Sequence, residues 1–259
     1  MNYLFAGDRD IGVRVLTHLL EEGYKPSALL LPDPAGASHS ARLREIAGLP
    51  ESHILLGGDL SRPEAVSQMR ALEPDYLIAV HYPHLIPGNV LEIPKEAALN
   101  LHPAWLPYNR GWHTPSWAIL EGTPAGATLH VMSEKTDGGD IVHRLRVDID
   151  PADTADSLYQ KLKNAEFSLF CELLPALVRK EYNRLPQPDN QGTFHKKEDL
   201  SGSSVQEIDL DGTYSGRELL DKLRALTTND VSEAACFQRD GRRFRVQVSI
   251  TEEENEQKE

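Results

Sequence analysis

Residues 1–31, MNYLFAGDRDIGVRVLTHLLEEGYKPSALLL, decide the fold. The run over residues 2–6 is apolar and stops at Gly7. Ile11, Val13, Val15, Leu16, Leu19 and Leu20 then recur at helical spacing, and a second apolar run fills residues 27–31 before Pro32. Strand, turn, helix and strand in this order make a βαβ unit, which joins parallel neighbours in a sheet. The alternation continues with a helix over residues 42–46, a strand over 53–56, a helix over 62–72 and a buried strand over 76–80. The predicted fold is therefore α/β, a Rossmann-like, mostly parallel sheet flanked by helices.

Farther on, a strand at residues 97–101 enters a loop rich in proline and aromatic residues (103–115), followed by a helix at 116–120. Residues 127–132 and 141–147 alternate apolar with polar, as strands near a sheet edge do, around the turn Asp137-Gly138-Gly139-Asp140. Asp153 and Thr154 read as the cap of a long amphipathic helix ending near residue 180. Residues 186–204 read as a connector on the surface; a helix over 215–226 follows. Runs at 234–238 and 244–250 flank Asp240-Gly241, a strong hairpin signal. This predicts a catalytic domain over residues 1–200, a small helix-and-hairpin subdomain over 201–250 and a disordered acidic tail over 251–259.

The 259 residues carry 27 Lys and Arg against 40 Asp and Glu, a net charge of -13, which opposes binding along a nucleic-acid backbone. A local basic pocket for a small anion remains compatible with that balance. Two cysteines, Cys171 and Cys236, form no metal or disulfide spacing. No run approaches the ~20 apolar residues of a membrane span, and the N-terminus has no basic leader region, so a cytoplasmic protein without membrane contact is expected.

Chemistry concentrates at Asn100-Leu101-His102-Pro103. Two positions apart on a strand, Asn100 and His102 share a face, and in an open parallel sheet ligands bind outside the carboxyl ends of the strands. His130 and Asp137 follow on a strand and turn able to reach the same point. Imidazole titrates near neutrality, at ~6.5, so His102 suits proton transfer. An uncharged amide such as Asn100 suits a developing oxyanion, and Asp137 suits balancing an imidazolium or relaying a proton. A metal site built from His81, His84, His102, His130 and Asp137 is the rival reading, weakened by Pro83, which breaks helical ligand spacing between His81 and His84.

Asn100-Leu101-His102-Pro103-Ala104-Trp105-Leu106-Pro107-Tyr108-Asn109-Arg110-Gly111, then Gly126-Ala127-Thr128-Leu129-His130, then Thr136-Asp137-Gly138-Gly139-Asp140-Ile141 resembles the signature of N10-formyltetrahydrofolate-dependent formyltransferases. The resemblance implies a catalytic triad at Asn100, His102 and Asp137 and N10-formyltetrahydrofolate as formyl donor, with no metal. It implies a pterin wall from His81, Tyr82, His84, Leu85 and Ile86, with Gly138 and Asp140 beside it. The Tyr108-to-His113 segment with Phe194, His195, Lys196 and Lys197 resembles the members that formylate nucleotide-linked amino sugars. A dTDP-4-amino-4,6-dideoxyglucose or its 3-amino isomer is the implied substrate, with lipopolysaccharide O-antigen assembly as the setting. Arg9, Arg110, Lys196 and Lys197 would meet the pyrophosphate, with Tyr108, Trp112, His113 and Phe194 around the nucleoside. The C-terminal hairpin would make a homodimer. Formylation of another small amine, or hydrolysis of the formyl folate, are the neighbouring readings.

Overall fold

The computed structural model describes residues 1–188 and 190–253, so the part of the expected tail at 254–259 lies outside the described residues. In chain order the elements are β1 (Tyr3–Gly7), α1 (Arg9–Glu21), β2 (Ala28–Leu31), α2 (Ser40–Ala47), β3 (Ile54–Leu56), α3 (Pro63–Ala71), β4 (Tyr76–Val80), α4 (Gly88–Leu91) and β5 (Ala97–His102). They continue with β6 (Arg110–Gly111), α5 (Thr114–Glu121), β7 (Ala125–Val131), β8 (Ile141–Val147), α6 (Ala155–Arg179), β9 (Phe194–His195), α7 (Ser203–Gln206), α8 (Gly216–Ala225), β10 (Ala235–Arg239) and β11 (Arg242–Val246). These residues form two compact units. The first holds Met1–His102, Ala127–Leu145 and Lys163–Gln191; the second holds Pro103–Gly126, Arg146–Leu162 and Gly192–Glu259.

In the first unit, strands β3-β2-β1-β4-β5-β7-β8 lie side by side, parallel from β3 through β5, with β7 antiparallel to β5. Every side chain of β1, β2 and β4 is buried, the mark of a parallel sheet covered on both faces. Leu4, Ala6, Leu30, Leu77 and Ala79 pack with Met69 and Val90 of the covering helices. α1 presents Ile11, Val15, Leu16 and Leu19 to the core, the stripe its periodicity predicts. Strand order reverses between β1 and β4, which opens a crevice at their carboxyl ends.

The second unit packs α5 and α8 with the start of α6, where Ala118, Ile119, Leu158, Leu162 and Ala225 share a core. Ser215 caps α8, accepting from the Glu218 amide while Glu218 answers to the Ser215 amide, a complete capping box. The hairpin β10–β11 turns at Asp240 and Gly241, both with positive φ (53 and 70), and stacks Phe237 on Phe244 at 5.2 Å. β11 is shorter than the run at 244–250 suggests. Beyond Val246 the Gln247 amide side chain bonds the Thr228 carbonyl and the Val248 N–H bonds Thr227 Oγ1, which draws the chain off the ladder. The connector is also more ordered than expected, since β9 pairs in parallel with β6.

At the entry to α6, Asp153 accepts from the Asp150 amide (2.8 Å), Ser157 Oγ (2.9 Å) and Lys161 Nζ (2.7 Å). Burial alone would raise its pKa, but these donors outweigh it and hold the carboxyl below its ordinary value. The stability from this depression is present above the unfolded pKa, ~3.9, and is lost as pH falls through the lower folded value. Wild type should therefore exceed Asp153→Asn in urea stability near neutral pH, and the difference should vanish as the pH drops well below 4, a comparison made by urea titration at several pH values.

Candidate active site

β5 ends with Asn100, half-buried, and His102, 7% exposed, on one face at the carboxyl edge of the sheet. Because β7 runs back antiparallel, His130 is the register partner of Asn100. After β7 the chain turns at residues 133–139 and returns, with Asp140 accepting from the Val131 amide at 2.8 Å. That turn delivers Asp137, in the left-handed region (φ 49) that aspartate tolerates better than most residues.

Asp137 is the meeting point. Its carboxylate accepts from Asn100 Nδ2 (3.2 Å) and lies 3.4 Å from His130 Nε2 and 3.7 Å from His102 Nε2. The Val131 carbonyl, which only accepts, lies 2.9 Å from His130 Nδ1, so that nitrogen carries the proton. In the neutral ring Nε2 is then an acceptor, and it takes the second Asn100 hydrogen at 3.2 Å. With the His130 ring neutral both hydrogens of the Asn100 amide are engaged, and donation to a substrate oxygen then requires one of these bonds to be exchanged.

A Cβ on Gly139 would overlap the Val131 carbonyl, and one on Gly138 would press on the root of the Lys135 side chain, so the turn leaves little room for a side chain at either position. Among the described residues, no group of three or more His, Cys, Asp and Glu is placed to hold a metal ion.

The loop after β4 carries the expected donor-binding residues. Tyr82 and Ile86 pack on the sheet core, and Leu85 stands 81% exposed. The Tyr82 hydroxyl is buried with no hydrogen-bond partner; burial and then the charge of Asp33 push its pKa up. His84 packs edge-on to Tyr82 at 5.7 Å. His81, at φ 51, points Nε2 at both oxygens of Glu166 (2.9 and 3.0 Å), a carboxylate with no exposed surface. Nearby on α6, Lys163 bonds Asp10 at 2.7 Å and, outweighing burial, holds the Asp10 carboxyl below its usual range. Arg9 is exposed at φ 59.

The second unit gathers most of the expected acceptor-binding residues. Pairing of β6 with β9 sets Arg110 beside Phe194, and Gly111 must be glycine because a Cβ would overlap the His195 carbonyl. Lys197 Nζ sits 5.1 Å over the Trp112 ring, and the Lys197 carbonyl lies 3.1 Å from His113 Nε2. Phe194 is 47% exposed. Tyr108 is half-buried, its amide bonded to the Trp105 carbonyl. Lys196 is exposed, its amide bonded to Asp199. His195, absent from the expected set, stacks flat on Trp117 at 3.9 Å, with Nε2 3.2 Å from Glu121 Oε1 but without hydrogen-bond alignment.

A family model described as formyl transferase matches residues 32–174, and one described as N-formyltransferase dimerization C-terminal domain matches residues 203–252. A methionyl-tRNA formyltransferase of Bacillus mycoides is 30% identical over 232 residues, 87% of this chain and 72% of that protein. The chain belongs to the formyl transferase family. This formyltransferase shares its fold with a sugar N-formyltransferase from Shewanella sp. at TM-score 0.81 and 20% identity, over 98% of this chain and 99% of that one. An N-formyltransferase from Helicobacter canadensis, in complex with folinic acid and dTDP-3-aminofucose, gives TM-score 0.69 at 16% identity, over 92% and 84%.

Glu166 was missed by reading the expected site from motifs, although it sits four residues after Leu162 within the apolar stripe of α6. Removing one partner of a buried hydrogen bond typically costs about 1–3 kcal/mol. Glu166→Ala should lower the urea midpoint accordingly and expose residues 81–87 to limited proteolysis, whereas substitution of an exposed α6 glutamate should do neither.

Proposed function

We propose that this formyltransferase moves the formyl group of N10-formyltetrahydrofolate to the amine of a nucleotide-linked amino sugar. The observation that carries the chemistry is the convergence of Asn100, His102 and Asp137 at the carboxyl edge of the sheet. The donor supplies an activated formyl group on nitrogen. His102 is placed to accept the proton of the attacking amine and return it to N10 of the departing tetrahydrofolate, and Asp137, 3.7 Å away, balances the imidazolium between these transfers. Asn100 contributes an uncharged N–H for the formyl oxygen once it exchanges one of its present partners.

The residues fit a pterin donor. The exposed Leu85 offers an apolar face suited to a flat ring, and Tyr82 and Ile86 pack the loop that carries it onto the sheet core. The acceptor reading draws on Trp112, Phe194, Arg110 and Lys197 in the second unit, a stacking surface with cations beside it, as a nucleoside diphosphate requires. Bound folinic acid and dTDP-3-aminofucose in the Helicobacter canadensis protein support the same pairing. The 203–252 match supports a homodimer through the hairpin, and Leu210, Leu220 and Val231, each more than half exposed in that region, suit a subunit contact. Two reduced cysteines agree with a cytoplasmic enzyme.

A second reading, formylation of methionyl-tRNA, is favoured by the named relative in Bacillus mycoides, while the net charge of -13 opposes it. Incubation with formyl folate and a panel of dTDP- and UDP-linked 3- and 4-amino sugars, or with methionyl-tRNA, decides between them by the gain of one formyl mass. A gain on a sugar nucleotide is expected. Formate released without an acceptor would indicate hydrolysis instead.

His102→Ala should stay folded by circular dichroism and lose at least about 10²-fold in kcat. Ala235 and Cys236 are buried, so deleting the hairpin would unfold its surroundings. Phe244→Glu is the sharper probe of the dimer and should yield a monomer by light scattering.

A further inference from the structure

We propose that Gln187 is a positioning residue that clamps the turn bearing Asp137. The proposal rests on the formyl-transfer reading of that carboxylate. Leu185 and Ile141 exchange both backbone hydrogen bonds at 2.8 Å, a single antiparallel bridge after β7 has returned. Continuing that register two residues sets Gln187 opposite Gly139. Here the side chain takes the place of the ladder: Gln187 Nε2 donates to the Gly139 carbonyl at 2.7 Å and to the Asp137 carbonyl at 2.8 Å.

The two carbonyls bracket Gly138, so one amide spans the part of the turn where Asp137 adopts φ 49. Because carbonyls only accept, the amide orientation is fixed, and Gln187 Oε1 is left buried with no hydrogen-bond partner among the described residues. A leucine of similar size removes the two donors and the orphaned acceptor, and the Asp137 and Gly139 carbonyls it frees are only part-buried and open to water, so the cost to stability is modest while the turn loses its clamp. The carboxylate of Asp137 serves three side chains at 3.2 to 3.7 Å, and a displacement of ~1 Å at such a site can cost 10²-fold in rate.

The test measures kcat, KM for donor and acceptor, melting temperature and hydrogen–deuterium exchange in Gln187→Leu and Gln187→Glu. For Gln187→Leu, kcat should fall about 10- to 100-fold with both KM values within about threefold and melting within about 3 °C, while exchange quickens only at residues 133–140. Gln187→Glu sets a carboxylate against two carbonyl oxygens, and its kcat relative to wild type should recover as lower pH restores a donor. Wild-type kcat and exchange in Gln187→Leu overturn the proposal, as does a fall in kcat matched by lower melting and faster exchange along the whole chain. If wild type formylates no amine, the formyl-transfer reading fails and with it the catalytic role of Gln187, while the exchange measurement still decides whether Gln187 holds the turn.

Discussion

A carboxylate removed from water needs partners, and Asp137, its side chain 11% exposed, finds one in the Asn100 amide and stands beside His102 and His130. The demand runs in both directions. The amide of Asn100 is oriented by the carboxylate and by His130, and His130 is set in one tautomer by the Val131 carbonyl. Satisfying Asp137 therefore fixes the end of β5, the last residues of β7 and the turn after β7. The antiparallel entry of β7 into an otherwise parallel sheet makes this possible, because it returns the chain to the same sheet edge within a few residues.

The same edge carries a second set of polar contacts beside the loop after β4, in which Glu166 and Lys163 are buried and Asp10 is half exposed. His81 leaves β4 in a left-handed conformation and is held by Glu166, while Lys163, one helical turn earlier on α6, holds Asp10 at the start of α1. Opposite charges in a low-dielectric setting fix positions strongly but contribute little net stability once desolvation is counted. Their effect is to fix the loop after β4 and the turn after β1 at the strand-order reversal, where an open α/β sheet offers its binding crevice.

Much of this was legible in the chain. The alternation of apolar runs with helical stripes gave the βαβ order, and Asp240-Gly241 gave the hairpin, because both depend on neighbours within a few positions. Asn100 and His102 were readable as a pair for the same reason, two positions apart on one strand face. Glu166 left a trace, a charge within the apolar stripe of α6, which motif reading passed over. Gln187 left none: its two bonds depend on the register of Leu185 against Ile141, 44 residues apart, and no local pattern encodes register across that distance.

By itself, the sequence determined the α/β class, the strand and helix order and the residue types available for proton transfer and hydrogen bonding, all set by periodicity and side-chain chemistry along the chain. Only the tertiary structure decided that Asn100 donates to Asp137, that His130 carries a proton on Nδ1, and that a Cβ at Gly139 would overlap the Val131 carbonyl. These follow from which carbonyl, carboxylate or ring stands opposite each group. Hydrogen bonds and steric overlap act over a few ångströms in space, so they become definite only when distant segments are packed together.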